Sequence, residues 1–203
     1  MKTLVSRLFR LFPLFAAVLL ALPLAARADV NELKPPVPVE NGGKIEVIEF
    51  FWYGCIHCYN LEPQIEAWLK TLPKDVEFRR VPTVFNERWA LDASIFYALE
   101  AMGLLDKLHR PLFDAIHKER LRTDNEQALG EWLTKHGVDA KKFMDTLQSF
   151  GVRSKTRRAV QLTLAYKIDG TPAMAVHGRY TVSAQPKMMQ IVDSLVERVR
   201  QEK

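Results

Sequence analysis

Two periodicities of hydrophobic residues alternate along the chain, one typical of strands and one typical of helices. Lys44–Tyr53 (KIEVIEFFWY) is rich in β-branched and aromatic side chains and lies between glycines, which predicts a central strand. Apolar residues then recur at helical spacing over residues 58–72, which predicts a helix that Pro63 should kink. A second strand is expected at Val76–Val81.

From residue 86 to residue 169 the apolar spacing is helical throughout, so this stretch should contain no strand. The predicted helices lie at Trp89–Met102, around Leu112–Ile116 with a break near Pro111, after a capping box at Thr123-x-x-Glu126, after a cap at Asp139, and at Val152–Ile168.

The pattern returns to strands near the end of the chain. Strands are expected at Pro172–Val176 and Arg179–Val182, joined in a hairpin, followed by an amphipathic helix at Pro186–Arg200. The order β-α-β, helices, β-β-α predicts an α/β fold interrupted by an all-helical insertion. The expected boundaries are 29–85 for the first part, 86–168 for the helical insertion and 169–203 for the second part.

The first 28 residues differ in composition from the rest. They carry four of the 29 basic residues and no acidic residue, with an uncharged run at Leu11–Ala26 and then Ala26-Arg27-Ala28. This is the layout of a signal peptide, with cleavage expected after Ala28 to leave Asp29 at the mature N-terminus. An uncleaved anchor is disfavoured, because a membrane span needs about 20 apolar residues.

Removal of this segment changes what the charge implies. The whole chain has a net charge of +5, but the mature chain would be close to neutral, at about +1. A nucleic-acid partner is therefore not expected. The apolar fraction of 48% excludes a disordered chain, and two cysteines exclude a disulfide-rich scaffold.

Both cysteines lie in one motif, Cys55-Ile56-His57-Cys58, where the predicted strand ends and the predicted helix begins. The first turn of a helix stabilises an anion, so a thiolate is favoured at Cys55, with help from His57. A stabilised thiolate makes the corresponding disulfide a stronger oxidant. Cys55 should be the exposed attacking sulfur, and Cys58, on the apolar stripe, the buried resolving one.

A motif with two cysteines can also form a structural disulfide, attach haem or bind a metal ion. A structural disulfide remains open, although closing so short a loop stabilises by only about 2 kcal/mol. Haem attachment is excluded because residue 59 is Tyr. A metal site is not expected, since the chain offers two cysteines and five scattered histidines.

Phe50–Tyr59 (FFWYGCIHCY) resembles the active-site segment of the DsbA family of periplasmic thiol:disulfide oxidoreductases, and Gly170-Thr171-Pro172 resembles its cis-proline loop. The resemblance implies a thioredoxin-like fold with an inserted all-helical domain. It implies a monomeric, periplasmic dithiol oxidase that needs no cofactor beyond its own Cys55–Cys58 disulfide and no metal. Its implied partners are reduced, unfolded exported proteins as substrates and a DsbB-like membrane protein as re-oxidant.

The resemblance also implies roles for individual residues. Cys55 would form the mixed disulfide with substrate, while Thr171 would pair with the bound peptide beside a cis Pro172 that faces the cysteines. The sequence departs from the best-known members at Ile56, where they have Pro. An isomerase or reductase of the same fold is therefore an alternative, as is a non-catalytic peptide- or metal-binding module.

Glu49 lies within the run predicted to be the central strand, where a carboxylate is costly unless it is paired or protonated. We expect Arg80 to pair with it beneath the cysteines, and Glu49 to exchange protons with Cys58; a purely structural ion pair is the alternative. In the family resembled, the acid at this place has such a role. Trp52 and Tyr53 are expected either to line a peptide-binding surface or to pack in the core.

Three histidines fall in the helical stretch. His109, His117 and His136 are expected to be solvated.

Overall fold

A mixed five-stranded sheet forms the centre of the described part of the chain. The computed structural model describes residues 30–39 and 42–202. The predicted signal peptide and the predicted N-terminus at Asp29 lie outside these residues. The strands, in the spatial order β1-β5-β4-β2-β3, are β1 (Val30–Glu32), β2 (Ile45–Phe51), β3 (Val76–Pro82), β4 (Ala173–Val176) and β5 (Tyr180–Ser183).

Helices flank this sheet, and five of them lie between β3 and β4. They are α1 (Ile56–Leu69), α2 (Glu87–Ala101), α3 (Leu105–His117), α4 (Glu126–Lys135), α5 (Ala140–Leu147), α6 (Phe150–Ala165) and α7 (Met188–Gln201). The predicted α/β fold with a helical insertion is confirmed. Within the described residues, no helix has the length and apolar character needed to cross a membrane.

The central strand β2 is buried along its whole length. It pairs in parallel with β3 and antiparallel with β4, so it receives hydrogen bonds on both edges. This explains why its sequence is a nearly continuous apolar run rather than an alternating one. The strand β1 is an element that the sequence analysis did not predict, and it pairs antiparallel with β5.

Two predicted helix signals are wrong in detail. Pro111 lies inside the continuous helix α3 and does not break it. Its neighbours Leu112 and Phe113 are fully buried, and this burial outweighs the hydrogen bond that a proline removes.

The proposed capping box at Thr123 is the second error. The helix α4 begins at Glu126, and its N-cap is Asn125, whose side chain accepts a hydrogen bond from the Ala128 N–H. The Thr123 hydroxyl instead donates to Asp92 Oδ1 at 2.6 Å. A tertiary contact has therefore replaced the local one. The predicted cap at Asp139 is confirmed, since its side chain accepts from the Lys142 N–H.

The alternation of β2 places Glu49 on one particular face of the sheet. Ile48 and Phe50 pack in the core shared with helices α2–α6. Val47 packs in a second core that includes Ile65 of α1. Because side chains alternate along a strand, Glu49 points to the same side as Val47, toward α1. The carboxyl group is thereby placed beneath the helix that begins at the cysteines.

Candidate active site

Cys55 occupies the junction between strand and helix that the sequence predicted. It is the N-cap of α1, and its sulfur accepts a hydrogen bond from the Cys58 N–H at 3.4 Å. The sulfur also lies 3.3 Å from the Thr171 carbonyl oxygen. The pKa of Cys55 is lowered to about 5, first because the Cys58 thiol hydrogen-bonds to its sulfur, with further help from the backbone N–H groups of Cys58 and His57. The half-buried sulfur is thus poised as a thiolate.

Cys58 lies three residues further along the helix and is 0% exposed. Burial raises its pKa far above the ordinary value, and the hydrogen bond to Cys55 and the negative charge of Glu49 act in the same direction. Both cysteines are free thiols in this structure. The reduced site therefore holds one thiolate and one thiol.

The loop before β4 lies against the first cysteine. The Thr171–Pro172 peptide bond is cis, and Pro172 precedes the first residue of β4, which pairs with Phe50 of β2. The sheet therefore brings Thr171 and Cys55 together across 116 positions of sequence.

His57 sits differently from its neighbours. Its side chain is exposed, and the contribution to Cys55 that the structure shows comes from its backbone N–H. The expected tuning role of the His57 ring remains a prediction.

Beneath Cys58 lies a group of ionisable side chains that we call the buried charge network: Tyr53, Glu49, Glu62, Arg80 and His109. Arg80 Nε is 3.0 Å from Glu49 Oε2, as expected from their opposed positions on β2 and β3. Arg80 NH2 donates to Glu62 Oε2, also at 3.0 Å. One guanidinium thus contacts two buried carboxylates.

The two carboxylates of the network differ in their hydrogen bonds. Glu49 Oε2 forms an ion pair with Arg80 Nε at 3.0 Å, but this contact lacks the geometry of a well-formed hydrogen bond. The pKa of Glu49 is raised to about 8, chiefly by burial and then by the negative charge of Glu62, although Arg80 opposes this. Burial would also raise the pKa of Glu62, but the hydrogen bond from His109 and the hydrogen bond and charge of Arg80 lower it overall.

Comparison with known proteins bears on what this site is. A family model described as the DSBA-like thioredoxin domain matches residues 80–196. The chain is 43% identical to the thiol:disulfide interchange protein DsbA of Azotobacter vinelandii, over 83% of this chain and 81% of that protein. It is 39% identical to the DsbA of Burkholderia cepacia over the full length of both. This chain belongs to the DsbA family.

A solved DsbA structure agrees with the fold. The crystal structure of Pseudomonas aeruginosa DsbA superposes with a TM-score of 0.81 at 38% identity, covering 86% of this chain and 94% of that one. The predicted thioredoxin-like fold with inserted helices is therefore that of the DsbA family.

The sequence analysis missed two members of the buried charge network. Glu62 was not singled out, although it lies four residues after Cys58 and therefore on the same side of α1. His109 was expected to be solvated, and this is wrong: it is 8% exposed, and its ring is packed among Phe51, Phe96 and Phe113. His117 is also partly buried, with Nε2 2.8 Å from the Tyr53 carbonyl oxygen.

Tyr53 lies in the core, the second of the two places that the sequence allowed. It is 1% exposed, and its hydroxyl is 2.9 Å from His109 Nδ1. The prediction that Tyr53 lines a peptide-binding surface is therefore wrong, because its buried side chain cannot reach a bound peptide.

Trp52 is half-buried at the edge of the site. Its ring stacks on Trp89 with centroids 4.2 Å apart, and its Nε1–H donates to the buried Asp92 at 2.8 Å. Phe85 packs against the far side of this stack and is 45% exposed. Beside Trp52, a Cβ at Gly54 would overlap the indole ring. The aromatic surface next to Cys55 is therefore held in one position.

Among the described residues, no group of three or more His, Cys, Asp or Glu side chains is arranged so that it could hold a metal ion.

Proposed function

We propose that this thiol:disulfide oxidoreductase acts as a dithiol oxidase, passing a Cys55–Cys58 disulfide to the thiols of reduced, unfolded exported proteins. The observation that carries the proposal is the opposite displacement of the two cysteine pKa values, to about 5 for Cys55 and upward for Cys58. A stabilised Cys55 thiolate stabilises the reduced enzyme, so the disulfide form readily accepts electrons.

The exchange proceeds in two steps. A substrate thiolate attacks Cys55, the bond between Cys55 and Cys58 breaks, and its electron pair goes to the Cys58 sulfur. A second substrate thiolate then attacks the substrate sulfur of the mixed disulfide, and Cys55 leaves as a thiolate. The substrate gains a disulfide, and the two electrons remain on the two cysteines.

Glu49 exchanges a proton with the buried Cys58 sulfur. Cys58 is 0% exposed and strongly disfavours the thiolate, so the sulfur released in the first step needs a proton at once. Glu49 has a pKa of about 8 and so holds a proton near neutral pH. In re-oxidation the same carboxylate takes the proton back, and Arg80 holds it in place.

The surface around Cys55 receives the substrate chain. The Thr171 backbone would pair with an extended peptide as an added strand, beside Pro172. Trp52, fixed by its stack on Trp89, would contact apolar side chains of the peptide. Unfolded proteins expose such side chains, which matches the proposed substrates.

The compartment is inferred from the export signal predicted at residues 1–28, and the remaining partners from membership of the DsbA family. The enzyme would act in the periplasm as a monomer and be re-oxidised by a DsbB-like membrane protein. Its redox centre would be the Cys55–Cys58 pair, with no added cofactor or metal.

The decisive experiment compares oxidation with reshuffling. The purified protein is equilibrated with glutathione to obtain its potential, and it is then given either a reduced peptide or a protein with scrambled disulfides. We expect a potential more oxidising than that of thioredoxin, together with dominant oxidation of the reduced peptide. A strongly reducing potential would identify a reductase, and dominant reshuffling would identify an isomerase; either result would overturn the proposal.

A further inference from the structure

The buried charge network contains one cation for two carboxylates. Arg80 lies 3.0 Å from an oxygen of Glu49 and 3.0 Å from an oxygen of Glu62. Both carboxylates are 0% exposed. Two like charges this close cannot both ionise easily in a buried site, so the site favours one negative charge and one proton. The structure must determine which carboxylate keeps the proton.

Hydrogen bonds favour ionisation of Glu62. Its Oε2 accepts from Arg80 NH2, and its Oε1 lies 3.3 Å from His109 Nε2. Glu49 has the weaker set of contacts, since its Oε2 only forms an ion pair with Arg80 Nε that is poorly aligned for a hydrogen bond. Because hydrogen bonds donated to a carboxylate stabilise its charged form, the negative charge belongs on Glu62.

Tyr53 determines which way the His109 ring donates. The Tyr53 hydroxyl lies 2.9 Å from His109 Nδ1. If this hydroxyl donates, Nδ1 is the acceptor of a neutral ring, and the ring proton is on Nε2, facing Glu62. Burial lowers the pKa of His109, which agrees with a neutral ring. Aromatic contacts from Phe51, Phe96 and Phe113 fix the plane of the ring.

Access to solvent separates the two carboxylates further. A cavity of about 390 Å³ between α1, β3, α2 and α3 is lined in part by Glu62, Arg80 and His109. Exposed residues such as Glu66 and Asp106 also line it, so it reaches the surface. Glu49 is not among its lining residues. Although both carboxylates are 0% exposed, Glu62 lies nearer to water in this cavity than Glu49 does, so a negative charge is less costly on Glu62.

We propose that His109 and Tyr53 are positioning residues that hold Glu62 ionised against Arg80, so that the shared proton stays on Glu49 beside Cys58. This inference rests on the proposed role of Glu49 as the proton donor and acceptor for Cys58. It adds that the donor is kept loaded by a second carboxylate on α1 and by a histidine on α3, in the inserted helices.

Other titratable or charged groups lie near members of this network or line the cavity beside it. They are Cys55 and Cys58 at the start of α1, Glu66 further along it, Arg79 on β3, Asp92 and Glu100 on α2, and Asp106 and Arg110 on α3. The oxidised protein is the form to titrate, because its cysteines carry no ionisable thiol.

The test measures the pH at which Glu49 is half-protonated in the oxidised protein. The titration is monitored by carbon-13 NMR of the glutamate carboxyl groups. Glu62→Gln leaves Arg80 to Glu49 alone, so the midpoint of Glu49 should fall by about one pH unit or more. His109→Leu removes a donor from Glu62 and should shift the midpoint in the same direction. Tyr53→Phe keeps the aromatic packing and should give a smaller shift of that sign.

Coupling between the variants separates positioning from mere packing. Since His109 acts through Glu62, the double variant Glu62→Gln/His109→Leu should titrate like Glu62→Gln alone. His109→Gln keeps an N–H donor and should restore most of the wild-type midpoint. His136→Gln, at the C-cap of α4 and outside the network, is the matched control and should leave the midpoint unchanged.

An unchanged Glu49 midpoint in Glu62→Gln, or additive shifts in the double variant, would overturn the inference. If His109→Leu does not fold, Tyr53→Phe and His109→Gln decide, since both retain most of the packing. Failure of the proposed Glu49 role appears separately: Glu49→Gln would then leave unchanged the pH dependence with which Cys58 resolves a mixed disulfide. The NMR midpoints do not depend on that rate.

Discussion

Cys55 and Cys58 lie within the first turn of one helix, but the groups around the two sulfurs differ in kind. Cys55 is half-buried and receives hydrogen bonds from the helix N-terminus, whereas Cys58 is 0% exposed and lies above the buried Glu49, whose pKa is raised to about 8. Their pKa values move in opposite directions for these reasons. A separation of three residues is thus enough to place one sulfur among N–H donors near solvent and the other in the fully buried interior.

The largest expected effect comes from removing the thiolate side of this pair. Cys55→Ser should abolish oxidation of a reduced peptide, because the Cys55–Cys58 disulfide that the substrate thiolate attacks can no longer form. Loss of free thiol in the peptide measures this directly. Residual oxidation above the uncatalysed rate would show that the site works without Cys55, which would contradict the distinct roles assigned to the two cysteines.

The matched variant on the other side should behave differently. Cys58→Ser keeps the reactive Cys55 but removes the sulfur that resolves the mixed disulfide. When the reduced variant is given a peptide whose thiol is joined to glutathione in a disulfide, the Cys55 thiolate attacks the peptide sulfur and glutathione leaves as a thiolate. Because no second cysteine can resolve it, the covalent enzyme–peptide species should accumulate and be visible as a mass shift of the intact protein. If Cys55→Ser formed the same species, the assigned roles of the two cysteines would be reversed.

The next largest effect is a loss of stability when the buried charge network beneath Cys58 loses its cation. Arg80→Met removes the cation from two buried carboxylates, and breaking such a group typically costs about 3–5 kcal/mol. Chemical denaturation at pH 7 measures the loss. The loss should shrink at acidic pH, where both carboxylates are protonated in the variant.

Arg122→Met is the control for this substitution. Arg122 pairs only with Asp124 on an exposed surface, and such pairs contribute about 0–1 kcal/mol. Equal losses for Arg80→Met and Arg122→Met would mean that the buried pair contributes no more than a surface one.

The sequence was informative where neighbouring residues decide the structure. The strand patterns placed Glu49 and Arg80 on two predicted strands and suggested that a buried carboxylate there needs a cation, whereas the register that opposes the two residues is seen only in the sheet. Likewise, the change from strand to helical spacing placed Cys55 at a helix N-terminus. These features depend on short-range periodicity, which a single sequence records.

The sequence was uninformative where an inserted helix returns to the sheet. Glu62 and His109 are 47 positions apart, and their contact depends on how α3 packs against α1. No local pattern specifies that packing, so a histidine on a polar-looking helix was interpreted as solvated. The predicted capping box at Thr123 was wrong for the same reason, since the contact of Thr123 with Asp92 spans 31 positions.

A smaller effect is expected at the turn that leads into Cys55. Gly54→Ala would place a Cβ within the Trp52 ring and force it from its stack on Trp89. Overpacking of this kind costs about 1–3 kcal/mol. Thermal unfolding should show the loss, and tryptophan fluorescence should change with the displaced ring.

Gly130→Ala provides the control, because a Cβ there meets only Ala140 at an ordinary 3.8 Å. In the interior of α4 it should stabilise the protein by up to about 1 kcal/mol, from helix propensity. A loss confined to Gly54→Ala would locate the steric constraint beside Cys55. Similar effects of both substitutions would remove that distinction.

The smallest expected effect is the dependence of stability on pH that Cys55 produces in the reduced protein. Its pKa is about 5 when folded, against an ordinary value of 9.0. Between these values the unfolded chain binds the proton and the folded chain does not, so stability rises with pH. Because the sulfur is half-buried and solvent screens part of the effect, we expect about 1–2 kcal/mol between pH 6 and pH 8.

Other groups titrate in the same range, so the measurement must be a difference. The raised pKa of Glu49 has the opposite sign, since its contribution is lost as pH rises toward about 8. Subtracting the curve of reduced Cys55→Ser removes most of this background. The difference in unfolding free energy should grow steadily from pH 6 to pH 8 and vanish below about pH 5. A flat difference would mean that Cys55 is not held as a thiolate, and the contrast between the two cysteines would then rest on burial alone.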